Sequence, residues 1–306
     1  MFLLFILSTI EINIYSYKDT YLLGEDIWIW WEIVNKGDSV GYYEKIDLSS
    51  SFNWGHFKLW DINGKELKGG YVIKGAIATT RSKKQKVYKP QMLEIKPLET
   101  VTFNETNLIG SFGTLRFEGF GFLRSYIEPG EYFFSLFYKS KSNDSYYKVW
   151  SDTLHFLIIE PSGIEKDVWE LYRLSRIENS KYGNKIKSVE YAFEILKNYP
   201  ESNYIGSTLN NMKLLYHPYV EIEEGQREIF NAVTRELLDY VEENIHSYSG
   251  RTLKSAIWCI TFGEFKLGNS ADYIRDFIEK DNIPLDKEMQ EFFYGPNRAP
   301  NPKQLK

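Results

Sequence analysis

The chain of 306 residues has one cysteine, Cys259, which excludes an internal disulfide and a thiolate metal cluster. Histidine is nearly as scarce. His56, His155, His217 and His246 are scattered, and no two share the helix i, i+4 or strand i, i+2 spacing that would aim both rings at one metal. No apolar stretch approaches the roughly 20 residues of a membrane-spanning helix. An excess of positive charge is also missing, since the net charge is −5 overall, −1 up to residue 160 and −4 beyond it. Neither part carries the basic field that nucleic-acid binding draws on. Local catalytic and cofactor signatures are absent as well, so the expectation is a protein that is not an enzyme, with no cofactor, no metal and no catalytic set.

Aromatic residues, by contrast, make up 17% of the chain, as 23 Tyr, 20 Phe and 8 Trp, types that favour strands, interfaces and ring-stacking sites. A hydrophobic fraction of 43% beside 26% charged residues is that of a folded protein. The length exceeds what one core usually organises and points to two domains. Their expected limits are 10–160 and 164–295, around Pro161-Ser162-Gly163, with a loose proline-containing tail over 296–306.

Residues 1–9 hold the compact apolar run Phe2 to Leu7, followed by Ser8 and Thr9. One reading is an export signal whose basic start is missing, which places the protein in the periplasm or outside the cell. The other is a first strand continuing into Ile10, which leaves it cytoplasmic.

The first domain reads as strands. Ile10, Ile12 and Ile14 alternate with polar residues, and Ile27 to Val34 forms a second strand bounded by Asn35-Lys36-Gly37-Asp38. Ile27, Ile29, Trp31 and Ile33 take one face of it; Trp28 and Trp30 take the other. Phe57 to Trp60 enters the hairpin turn Asp61-Ile62-Asn63-Gly64-Lys65, whose Asn-Gly pair suits positive φ better than it suits a calcium loop. Further strands are expected on either side of Pro97, over Tyr132 to Lys139 after Glu128-Pro129-Gly130, and from Trp150 to Ile159. Tyr71 to Pro90, with Arg81, Lys83, Lys84, Lys86 and Lys89, reads as an inserted solvated loop.

Tyr21-Leu22-Leu23-Gly24-Glu25-Asp26-Ile27, the strand ending at Asn35 and Pro129-Gly130-Glu131-Tyr132 resemble the immunoglobulin-like β-sandwiches of bacterial secreted and surface proteins. A small proteinase-inhibitor family has a similar Pro-Gly-x-Tyr layout. The resemblance implies an antiparallel sandwich over residues 10–160 and speaks to fold more than activity.

After Gly163 the apolar spacing becomes helical. Seven helices are expected: from Glu165; through Val189 to Leu196; from Ser202 toward Tyr216; over Glu224 to His246; from Gly250 to Lys266; from Ser270; and over Leu285 to Phe293. Cys259 falls inside the fifth as a packing thiol. The run from Ala192 to Ser202, with its Tyr199-Pro200-Glu201-Ser202 turn, resembles the hairpin of tetratricopeptide-like repeats in outer-membrane assembly lipoproteins. The next comparable corner, at Tyr248, comes later than the usual repeat period, so a degenerate hairpin array is expected. Such arrays bind peptides or proteins on a concave surface.

These readings combine into a non-enzymatic protein-binding or scaffold protein of the bacterial cell envelope. The alternatives are a carbohydrate-binding module using Trp28 and Trp30, and a proteinase inhibitor. The two rings either lie open to stack on sugars or grip a partner, or are covered by the 71–90 insertion or the helical domain. Three further patterns take the bland reading. Glu223-Glu224 and Glu242-Glu243 are solvated neighbours on helices, pointing about 100° apart. Gly119-x-Gly121, among Phe117, Phe120 and Phe122, has no helix behind it to cradle a phosphate.

Overall fold

The computed structural model describes residues 10–45, 56–67, 91–108, 127–142, 145–179, 183–218 and 220–295. The apolar run before Ile10, the 71–90 segment, Gly119 and Gly121 with their phenylalanines, and the tail after Gly295 lie outside them. The chain separates into two compact units that change over between Glu160 and Pro161. Described strands make up the first and seven described helices the second.

The β unit contains β1 (Ile10–Ser16), β2 (Thr20–Leu22), β3 (Trp28–Asn35), β4 (Gly41–Glu44), β5 (Phe57–Asp61), β6 (Glu66–Leu67), β7 (Met92–Ile95), β8 (Thr100–Asn107), β9 (Gly130–Ser142), β10 (Ser145–Trp150) and β11 (Leu154–Ile159). One sheet is antiparallel, in the order β1-β3-β8. The other follows β2-β11-β9-β4-β7, with β5 and β10 also on β9 and β6 on β5. Its 13-residue strand β9 pairs with β11 and β5 along its first half and with β10 and β4 farther on.

Both sheets feed one core. The inward side of β3, Ile29, Trp31 and Ile33, is almost wholly buried and clusters with Phe57, Leu59, Phe134, Leu136, Tyr138 and Phe156. Period-two alternation of β-branched and aromatic residues produces this sidedness, as expected from the sequence. Trp31 is 1% exposed. Its indole N–H donates to the Tyr138 hydroxyl at 2.9 Å, and its ring stacks on Phe103 at 5.5 Å. The buried Asn35 closes the end of β3: its amide donates to the carbonyls of Ser39, Ile95 and Lys96, and its Oδ1 accepts from the Gly37 N–H.

Two strand expectations need correction. The unit is not purely antiparallel, because β2 runs parallel to β11, Thr20 lying opposite Leu157. The last stretch is also not one strand: Trp150 ends β10, and the Asp152 carboxylate accepts from the Ile14 N–H as the chain turns into β11. The Asn-Gly hairpin is formed, with Gly64 at φ 76° and its N–H donating to the Asp61 carbonyl at 2.9 Å. Pro97 occupies the bend between β7 and β8, where the Glu99 N–H donates to the Lys96 carbonyl and Leu98 sits at φ 60°.

The helical unit contains α1 (Ile164–Ile177), α2 (Lys185–Asn198), α3 (Ile205–Leu215), α4 (Arg227–Glu243), α5 (Gly250–Leu267), α6 (Ala271–Lys280) and α7 (Lys287–Tyr294). Short 3₁₀ turns flank α4 at Glu224–Gln226 and Ile245–Ser247. Helices α2 and α3 pack as one hairpin and α4 and α5 as another; α2 lies against α4 and α3 against α5, so the hairpins stack. Helix α5 buries the unbroken run Ser255 to Thr261, Cys259 among them. Burial pushes the Cys259 thiol well up, as befits a packing group rather than a nucleophile.

The Tyr199-Pro200 corner has a clear local cause. Ser202 Oγ accepts from the Tyr204 N–H at 3.1 Å, opening the turn into α3, and donates to the Glu165 carboxylate at 2.7 Å. Glu165 also accepts from the Asn203 backbone and side chain, tying the corner back to α1. Asn184 and Asp286 cap α2 and α7 by accepting from the Lys187 and Met289 N–H groups. No helix among the described residues is long and apolar enough to cross a membrane.

Candidate functional site

Alternation along β3 turns Trp28 and Trp30 away from the core, and both are half-buried. Trp30 lies directly opposite Tyr15 in the β1–β3 register, and the two rings stack at 5.5 Å and 20°. Tyr17 approaches the same indole at 4.9 Å with a 53° tilt. Tyr15 and Tyr17 remain 37% and 46% exposed. Two residues beyond Trp30, Glu32 accepts from the Tyr15 hydroxyl at 3.2 Å and from Thr102 Oγ1 at 3.1 Å. Desolvation and then the Glu32 charge raise the Tyr15 phenol, so this face presents neutral rings with one carboxylate set among them. Tyr15 and Tyr17, whose rings meet Trp30, were not singled out from the sequence. The signal was present, because Tyr15 on β1 and Tyr17, one residue past its end, keep i, i+2 spacing beside an antiparallel β3.

A second cluster lies between the helices of the α unit. Glu264 on α5 is fully buried, and Arg235 on α4 clamps it bidentately at 2.6 and 2.9 Å. Asn269 Nδ2 donates to the same carboxylate, and Asp239 is 3.4 Å from Arg235. Glu242 belongs to this group. Its Oε1 is enclosed with no hydrogen-bond partner among the described residues, and burial followed by the Glu264 charge raises its carboxyl to about 7. The solvated reading of Glu242-Glu243 therefore holds for the exposed Glu243 and fails for Glu242. Arg235, Asp239 and Glu242 follow i, i+4, i+7 spacing on α4, a one-face pattern legible in the sequence.

Beside Glu242 opens a cleft of about 560 Å³, lined by Glu242, Glu243, His246, Tyr273, Asp276 and Phe277 among others. A carboxyl titrating near neutrality can give or accept a proton. Glu264 is sealed and committed to Arg235, whereas Glu243, Asp276 and Asp281 line the cleft together with Glu242.

The histidines stay apart. His56 Nδ1 donates to the Phe137 carbonyl at 3.1 Å, His155 Nε2 meets Glu131 at 2.8 Å, His217 stacks on Phe262, and His246 lines the cleft. Among the described residues no three His, Cys, Asp or Glu side chains converge as a metal set.

No family model matches this chain. No curated protein matches it either. Among solved structures it is similar to a β-glucosidase from Listeria innocua crystallised in complex with glucose, with 17% identity and a TM-score of 0.16. That likeness covers 46% of this chain and spans 16% of the glucosidase. A TM-score of that size carries neither fold nor activity across.

Proposed function

We propose that this chain is a non-enzymatic protein-binding or scaffold protein of the bacterial cell envelope, and that the outer face of the β1-β3-β8 sheet is its contact surface. The observation that carries the reading is Trp30 held against Tyr15 and Tyr17 while both tyrosines stay open to solvent. Tyrosine and tryptophan anchor protein interfaces because they bring large area with few rotatable bonds, and ring–ring contact freezes those bonds before a partner arrives. An immunoglobulin-like origin for the β unit and a tetratricopeptide-like origin for the stacked hairpins belong to the same proposal.

The test uses the full chain as bait in an envelope extract, beside a Tyr15→Ala/Trp30→Ala double variant and Glu242→Gln as a control away from the face. The expected result is at least one protein retained by wild type and by Glu242→Gln, and reduced about tenfold by the double variant, the loss expected for ~1.4 kcal/mol of hot-spot energy. An identical set of captured proteins from all three baits would overturn the reading.

The carbohydrate reading rests on the same rings beside Glu32. Its weakness is geometric: Tyr15 and Trp30 stack on each other, and Glu32 already accepts two hydrogen bonds. Glycan-array binding lost on Trp30→Ala would replace the protein-binding reading with this one.

A further inference from the structure

The cleft beside Glu242 is walled by the C-terminal ends of two helices. Helix α4 finishes with Glu242 and Glu243, and its last turn holds no basic residue. Helix α6 carries Asp276 in its second half and is capped by Asp281. All four carboxyl groups line the same cavity of about 560 Å³. A helix C-terminus is the negative end of its dipole, where cations are favoured and acids are costly. Here acids stand at two such ends around one space.

Little in the protein offsets them. Among the described residues Glu243, Asp276 and Asp281 form no ion pair, and Lys280 is the one lysine or arginine in the lining. Arg235 is committed to Glu264 through both terminal nitrogens, and Arg275 bonds Asp272 and the Phe293 carbonyl. The same lining holds the rings of Tyr273 and Phe277, one helical turn apart on α6, together with the apolar Ile245. Tyr273 is 41% exposed, so a ligand can reach it. Aromatic faces attract organic cations, and alkyl chains lie well against them. A metal ion suits this lining poorly, because hard divalent cations draw six or more oxygens into one shell, and among the described residues no three acids converge.

We propose that the cleft is a binding site for a linear polyamine, whose separate ammonium groups meet the acids of α4 and α6 while its methylene chain lies on Phe277 and Ile245. The cavity falls within the ~300–1,000 Å³ of small-molecule sites. Burial and then the Glu264 charge hold the Glu242 carboxyl at about 7, so near neutrality an incoming ammonium tips it toward the ionised form. The site uses no residue of the β1-β3-β8 face, and the protein-binding reading can fail without it.

Spermidine is titrated into the full chain by isothermal calorimetry, slightly above neutral pH and at low salt, with magnesium chloride and butylamine at matched ionic strength as separate arms. Spermidine should saturate one site. Glu243→Gln/Asp276→Asn should weaken it about tenfold, and Lys280→Gln should tighten it about threefold. Asp167→Asn/Glu170→Gln, the same change of charge on α1, should leave it within about twofold. The gain from Lys280→Gln is a result that misfolding cannot mimic. No saturable binding, equal weakening by the α1 pair, or magnesium bound as tightly as spermidine would overturn the proposal. Butylamine bound as tightly would overturn the requirement for more than one ammonium.

Discussion

Replacing Glu242 by Gln should stabilise the helical unit above neutrality and leave it almost unchanged in mild acid. In the folded chain the Glu242 carboxyl is raised from an ordinary 4.5 to about 7, chiefly by burial and then by Glu264. Between those two values the folded state keeps a proton that the unfolded chain has released. Stability therefore falls as pH rises through this window, is highest below it, and is lowest once pH exceeds about 7. Carried over in full, at about 1.36 kcal/mol per tenfold change, the rise is worth ~3 kcal/mol; screening by solvent around a half-buried side chain reduces that to ~1–2 kcal/mol. Gln has the shape of the protonated acid and carries no charge to crowd Glu264. Urea unfolding of the full chain, followed by the helical circular-dichroism signal, should show Glu242→Gln more stable than wild type by ~1–2 kcal/mol at about pH 8 and equal to it near pH 5. A gain of the same size at both pH values, or a loss at the higher one, would refute the argument that ionising this buried carboxyl beside Glu264 sets the cost.

Two further outcomes concern the β unit. Trp31→Phe keeps an aromatic ring in the core but deletes the indole N–H, leaving the buried Tyr138 hydroxyl without its donor; the expected cost is ~2 kcal/mol in urea unfolding, and a change under ~0.5 would show that this bond contributes little. Leu98, 79% exposed at φ 60°, sits in a left-handed conformation that disfavours a side chain. Leu98→Gly should raise thermal stability by ~0.5–1 kcal/mol, the relief of that conformation less the entropy of the added glycine, whereas a lower melting temperature would count against strain at the bend.

Much of the element order was legible because it is encoded locally. The sides of β3 follow from strict alternation, and the bend at Pro97 follows from its missing N–H and fixed φ. The seven helices are marked off by Pro, Gly, Ser and Asp at their ends, so their limits fall within a few residues of the pattern. Where that local code is weak, reading fails. Strand β4, Gly41-Tyr42-Tyr43-Glu44, buries a glutamate as its last residue, and Lys139 from β9 lies 3.6 Å from that carboxylate. Nothing near position 44 announces such a partner. The break between Trp150 and Leu154 likewise depends on Asp152 reaching the Ile14 N–H, a contact 138 residues away in sequence.

The sequence by itself determined that strands come first and helices follow, which side of β3 enters the core, and that Trp28 and Trp30 are turned from it. Period and punctuation are short-range properties, and they act through backbone geometry that each segment carries with it. Only the tertiary structure decided that β2 runs parallel to β11, that Tyr15 and Tyr17 close on Trp30, and that Glu242 crowds Glu264. Each of these depends on which distant segment supplies the neighbouring atoms. The free energy of a charge or a ring is set by those neighbours rather than by its place in the chain.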